Sequence, residues 1–309
     1  MTTDTAAPPD VDVPGPPRDP RSPRAPRRLR LPRLNLDSAI GLPGMLFLLL
    51  AFGSTIVALV RISLTDPGPE NFTTAFSSGL FRQALFNTVE MSIVVTGLCL
   101  LVSYPYAYCL VHARRTVKIV LFTALLLSFW TSLLVRTYSW QIILNDTGLV
   151  NEALTSLGLI EEPLRMARTR FAVYLGMVHI LAPLSVLAIY ANMRGLGNAL
   201  VLAARGMGAR PSIAFLRVTL PLTLPGAVAG ATLVLILALG FYITPQMLGG
   251  AGDAFIGNAI VIQLDELYRP GVAAAMAVVL LLGVLVILGA VGRFVGITRI
   301  LGIRDEDKS

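Results

Sequence analysis

The 309-residue sequence predicts an all-α, polytopic membrane protein, a bundle of six transmembrane helices. Three observations predict it. Mean hydropathy is +0.73 and 14% of residues are charged, against roughly a quarter in soluble domains. Six runs reach the about 20 apolar residues a bilayer crossing needs: 40–62, 88–111, 119–138, 171–191, 222–244 and 272–294. The basic residues also fall on alternate sides of these runs, as the positive-inside rule requires.

Residues 1–37 are rich in Pro and Arg and nearly free of apolar side chains, so they read as a disordered basic tail on the cytoplasmic side. Arg27-Arg28 resembles a twin-arginine signal, but the apolar run behind it is too long for a signal core, so the tail is expected to stay attached. The membrane domain is expected over 38–298, with a short cytoplasmic tail at 299–309. Direction follows from charge. The N-terminal tail, the loop with Arg114, Arg115 and Lys118, the loop with Arg194, Arg205, Arg210 and Arg217, and the C-terminal end hold eighteen of the 25 Lys and Arg. Both termini are therefore expected inside.

The net charge of +7 does not point to nucleic acid, because the arginines form short clusters between apolar runs rather than a basic face. Cys99 and Cys109 share one run and would lie about 15 Å apart along a helix, too far to pair. With two cysteines and two histidines, no metal site is expected. The outer loops 62–87 and 139–170 carry turn formers and short amphipathic pieces, expected to cap the bundle. Gly249-Gly250-Ala251-Gly252 reads as a hinge.

The most informative segment is the loop at about 195–221, followed by Pro225. Ala203 and Ala204 allow close packing, Gly206 and Gly208 permit a turn with positive φ, and Pro211 suits the first turn of a second helix. Pro221 and Pro225 are expected to break the chain as it re-enters the membrane. A helix–turn–helix elbow on the cytoplasmic face follows.

This loop resembles the coupling motif of type I ABC importer permeases. The family pattern is Glu-Ala-Ala, a Gly four residues on, and Leu-Pro thirteen residues after it. Here those positions are Leu202, Ala203, Ala204, Gly208, Leu220 and Pro221. Leu202 departs from the pattern, since the family has glutamate there. The segments 87–108, 129–140, 145–154, 158–173 and 240–250 are similar to the spermidine/putrescine branch of the same family.

The resemblance implies a six-helix permease bundle with cytoplasmic coupling helices, in the bacterial inner membrane. It also implies partners: a cytoplasmic ABC ATPase dimer, a second permease subunit forming a heterodimer, and an extracytoplasmic solute-binding protein. The sequence contains no G-x-x-x-x-G-K-[ST] phosphate loop, so ATP is expected on the partner. The chain itself is expected to be a non-catalytic transport subunit with no cofactor. Polyamines are the implied cargo, and ferric iron or an anion is the alternative within the class.

Polar residues at membrane depth are the candidates for a substrate path. A flexible polycation needs carboxylates and aromatic faces, which selects Glu90, Trp130 and Tyr242, with Thr244 beside them. His179 reads as an interior histidine. Arg136 is expected to snorkel or to pair with an outer carboxylate. A secondary carrier would show repeated spans or buried charge relays, and a membrane enzyme would show clustered His, Asp or Glu. Neither pattern is present in the sequence.

Overall fold

The computed structural model describes residues 36–196, 199–250 and 252–295, and all regular structure among them is helical. Helix α1 (Leu36–Thr65) runs through the first apolar segment and begins just inside the expected tail. Its part up to Gly53 is one unit by itself, and the residues from Ser54 onward form the second, to which all the packing below belongs. A short α2 (Glu70–Ser77) precedes α3 (Gly79–His112), which the Ser78 hydroxyl caps. Then come α4 (Arg115–Trp130), α5 (Leu133–Ile143), the short α6 (Leu149–Ser156) and the long α7 (Arg170–Leu196). The elbow contains α8 (Ala199–Gly206) and α9 (Pro211–Ala214). A π-turn (Phe215–Thr219) leads on into α10 (Leu220–Leu239). The chain closes with α11 (Ile243–Leu248), α12 (Ile256–Val261), a second π-turn (Ile262–Glu266) and α13 (Pro270–Val295).

Three helices, α3, α7 and α10, make the centre. α3 and α7 run parallel, because Cys99 Sγ faces the Val178 carbonyl and Ser103 Oγ donates to the Ala182 carbonyl at 3.1 Å. α10 runs antiparallel to α7. A side chain at Gly226 would strike Asn192, and one at Gly230 would meet Ser185 Oγ at 3.0 Å. In lipid no hydrophobic gain drives helices together, so close approach through small residues has to supply the van der Waals contact. Met91, Val95, Met177, Leu181, Val234 and Ala238 fill the middle of this trio, while Leu110, Val186 and Ile189 fill it towards the elbow.

Set against the expected spans, the helices differ in three places. The third, expected as one helix over 119–138, is broken: α4 and α5 meet at 101°. Thr131 and Ser132 take extended backbone at the break, and Thr131 Oγ1 donates to the Leu127 carbonyl at 3.0 Å. That bond adds a side-chain donor to the Leu127 carbonyl, which also accepts the Thr131 N–H at the helix end. Five helical runs among the described residues are therefore long and apolar enough to cross a membrane, and α4 with α5 makes a sixth only as a bent pair.

The second correction concerns Pro221 and Pro225, which do not break the chain. One helical run extends from Pro211 to Leu239. The π-turn absorbs the misfit, with the Leu220 N–H reaching back five residues to the Phe215 carbonyl, so the widened turn accommodates the Pro221 ring. The run then stops at Gly240, short of the expected end at 244.

Third, two glycines of the expected 249–252 hinge, Gly249 and Gly250, make close backbone approaches. An added Cβ would meet the Pro245 carbonyl oxygen at 2.6 Å and the Arg168 carbonyl oxygen at 2.7 Å. Of the tails expected at 1–37 and 299–309, all but residues 36 and 37, which begin α1, lie outside the described residues.

Candidate functional site

The elbow is built by a helix stop. α8 ends at Gly206, so that glycine is helical, and only Gly208 carries the positive φ, at +85°. The Gly208 N–H donates to the Arg205 carbonyl at 3.0 Å and the Ala209 N–H to the Ala204 carbonyl at 3.1 Å. These two bonds form a Schellman motif with Gly208 at its left-handed position. Pro211 opens α9, as its fixed φ favours.

Ala204 is buried, whereas Ala203 is exposed. Around Ala203 the exposed side chains are apolar: Leu200, Leu202 at 62% exposure and Met207 at 84%, with Arg205 and Arg210 exposed beside them. Open space surrounds Gly208, where an added Cβ would have no neighbour within 4 Å. The elbow is thus a protruding apolar knob with a basic rim. Leu220 and Pro221 sit at the start of α10, behind the knob and one π-turn away from it.

At the other end of α7, Arg170 holds three elements together. Its Nε donates to Asp253 Oδ1 at 2.8 Å, its Nη1 to Glu90 Oε2 at 3.0 Å and its Nη2 to Asn87 Oδ1 at 3.1 Å. Asn87 Nδ2 in turn donates to the Ala254 carbonyl, and Asp253 Oδ2 accepts from the Gly250 N–H. Glu90 is therefore ion-paired rather than simply solvated. Asp253, which sequence reasoning passed over, is its counterpart across Arg170. Two carboxylates against one guanidinium leave the Arg170–Glu90–Asp253 group with one negative charge in excess.

The other sequence-selected residues do not join Glu90. Trp130 lies at the α4–α5 break, 89% exposed. Tyr242 precedes α11 and packs against Gly257, where an added Cβ would meet its ring at 3.2 Å. Thr244 is fully buried and shares a hydrogen bond of 3.1 Å with Thr137 of α5. His179 accepts from Trp140 Nε1 at 2.9 Å through Nδ1. Arg136, expected to snorkel or pair, makes no ion pair among the described residues, and its Nε is buried without a partner. Beside this end lies a groove of about 670 Å³ lined by Tyr138, Gln141, Asp146, Arg165 and Arg168.

Residues 119–296 match the model of the binding-protein-dependent transport system inner membrane component. The chain belongs to this family. It is a multi-pass inner-membrane transport subunit. The spermidine/putrescine transport system permease protein PotB of Haemophilus influenzae is 37% identical over 191 residues, covering 62% of this chain and 66% of that protein. PotB of Escherichia coli K12 is 34% identical, covering 67% and 76%. The molybdenum transport system permease protein ModB of Mycobacterium bovis is 28% identical, covering 82% and 95%. Among solved structures, a bacterial alginate ABC transporter complex superposes with a TM-score of 0.69 at 20% identity, over 84% of this chain and 93% of that one. The MetNI methionine ABC transporter does so at 0.55 and 20%, over 70% and 94%. These two likenesses show the fold.

Proposed function

We propose that this chain is one of two permease subunits, with both termini cytoplasmic, in an ATP-driven importer of polyamines. The elbow is the seat of a separate ATPase dimer. The observation that carries this reading is the knob itself. A Schellman turn presents Leu202, Ala203 and Met207 to the outside, where none of the described residues covers them. Such a surface is completed by a pocket on a partner. ATP binding would close the ATPase dimer and draw two elbows together, and the bundle would open to the side where a solute-binding protein delivers cargo. Hydrolysis would reset it. These are rigid-body movements of helices packed through small residues.

The polyamine assignment is supported by the PotB relatives and by the charge at the Arg170 end. Glu90 and Asp253 together exceed Arg170 by one negative charge, which favours a cation arriving there. Trp130, Tyr242 and Thr244 keep their role as path residues only as expectations, to be met when a second permease completes the path.

An anion importer is the second reading, favoured by the unpaired Arg136 and the ModB relative. Uptake of radiolabelled spermidine, putrescine and molybdate by a deletion strain lacking other importers separates the two. Loss of polyamine uptake, restored by the wild-type gene, is expected. Unchanged polyamine uptake with lost molybdate uptake would replace the first reading by the second.

A further inference from the structure

The elbow joins α10 through a π-turn, and a π-turn is a soft joint. Its five-residue hydrogen bond interrupts the four-residue ladder at Phe215–Thr219, the kind of place where a helix bends rather than turning as one rod. A second connection bypasses this joint. Phe215, the first residue of the turn, lies between two tyrosines of α3, edge-on to Tyr104 at 6.0 Å and to Tyr108 at 5.5 Å between ring centroids. Tyr104 and Tyr108 stand four residues apart and therefore on one helix face.

The tyrosines are themselves anchored. Tyr104 shares a 2.7 Å hydrogen bond with Thr223 of α10, whose hydroxyl also bonds the Thr219 carbonyl at 2.8 Å. Tyr108 stacks on His112 at 4.2 Å, and the His112 ring bonds the Tyr108 carbonyl. Phe215 is thus wedged into a braced aromatic seat on a different helix from the one it leads into.

We infer that Phe215 is a positioning residue that carries elbow movement directly to α3, in parallel with the covalent path through α10. Because α3 also holds Asn87 and Glu90, the same helix links the elbow end to the Arg170 network. The inference rests on the proposed ATPase docking at the elbow.

The test uses the whole transporter in nanodiscs, with two readouts. Retention of the ATPase subunits reports docking. The ATP-driven change in distance between spin labels at Gly79 of α3 and on the second permease reports the movement, with no substrate needed. Phe215→Leu, which keeps apolar volume, is expected to retain the ATPase while the ATP-driven population shift falls about tenfold. Phe215→Tyr should keep the full shift, and Tyr108→Leu should reproduce the loss. An undiminished shift in Phe215→Leu overturns the inference and leaves the docking reading intact. Loss of the ATPase from Phe215→Leu also overturns it, because the residue would then act in docking. A wild-type complex that retains no ATPase removes the docking reading and the inference with it.

Discussion

The two ends of the central helix trio solve opposite problems. At the Arg170 end the polar groups of the network answer one another: Asn87, Glu90, Arg170, Asp253 and the Gly250 and Ala254 backbone form a connected set. At the elbow end the side chains around Ala203 face outward with only apolar character and a rim of arginines. One end is closed within the chain and the other is an unfinished interface. A change at the first should therefore appear in the stability of the isolated subunit, and a change at the second chiefly once a partner is present.

The largest effect expected from this contrast is at Gly208. A side chain there has open space around it, so Gly208→Asp meets no clash among the described residues. It must instead hold a φ of +85°, which costs about 1–2 kcal/mol, and carry a charge into the proposed docking pocket. We expect normal insertion and a thermal melt in detergent within a few degrees of wild type, with transport abolished. Transport at the wild-type rate would show that the knob faces no partner.

The next effect lies at the closed end and needs no partner. Arg170 meets Asp253, whose side chain is 13% exposed, and Glu90, whose side chain is 36% exposed. Solvent screens the Glu90 pair more. Double-mutant cycles of Arg170→Gln with Asp253→Asn and with Glu90→Gln, read by melting of the purified subunit, should give about 1 kcal/mol for the first coupling and less for the second. Equal couplings, or a larger one to Glu90, would mean that Arg170 is not held chiefly by Asp253.

How much of this could be read beforehand differs between the two ends for a physical reason. The elbow is local in sequence: Ala203, Ala204, Gly208 and Pro211 lie within nine positions, and their propensities specify a helix stop and restart. The Arg170 network joins positions about 80 residues apart. Glu90 showed as a carboxylate in an apolar run, while Asp253 lay among glycines and looked like an ordinary loop residue. The trio was legible as apolar runs, but the α4–α5 break was not. Hydropathy counts apolar residues without regard to backbone direction, and Thr131-Ser132 alter the direction while barely altering the average. The continuous run through Pro221 was hidden for a related reason, since proline signals a misfit without saying that a π-turn absorbs it.

The smallest expected effect bears on what the unfinished end is waiting for. Leu202 stands where the resembling permeases carry glutamate, and it is 62% exposed between Leu200 and Met207. If its partner surface has become apolar to match, Leu202→Glu places a carboxylate in a pocket with no donor for it. Desolvation then weakens docking by about 1 kcal/mol, a fewfold in affinity, since the exposed position keeps part of its hydration. Titrating the ATPase onto the permease in nanodiscs reads this directly. Tighter binding by Leu202→Glu would mean that the partner keeps a polar pocket and that this chain docks through a missing contact. Weaker binding means that the leucine and its pocket have changed together, and that the knob is matched to one ATPase rather than to the family at large.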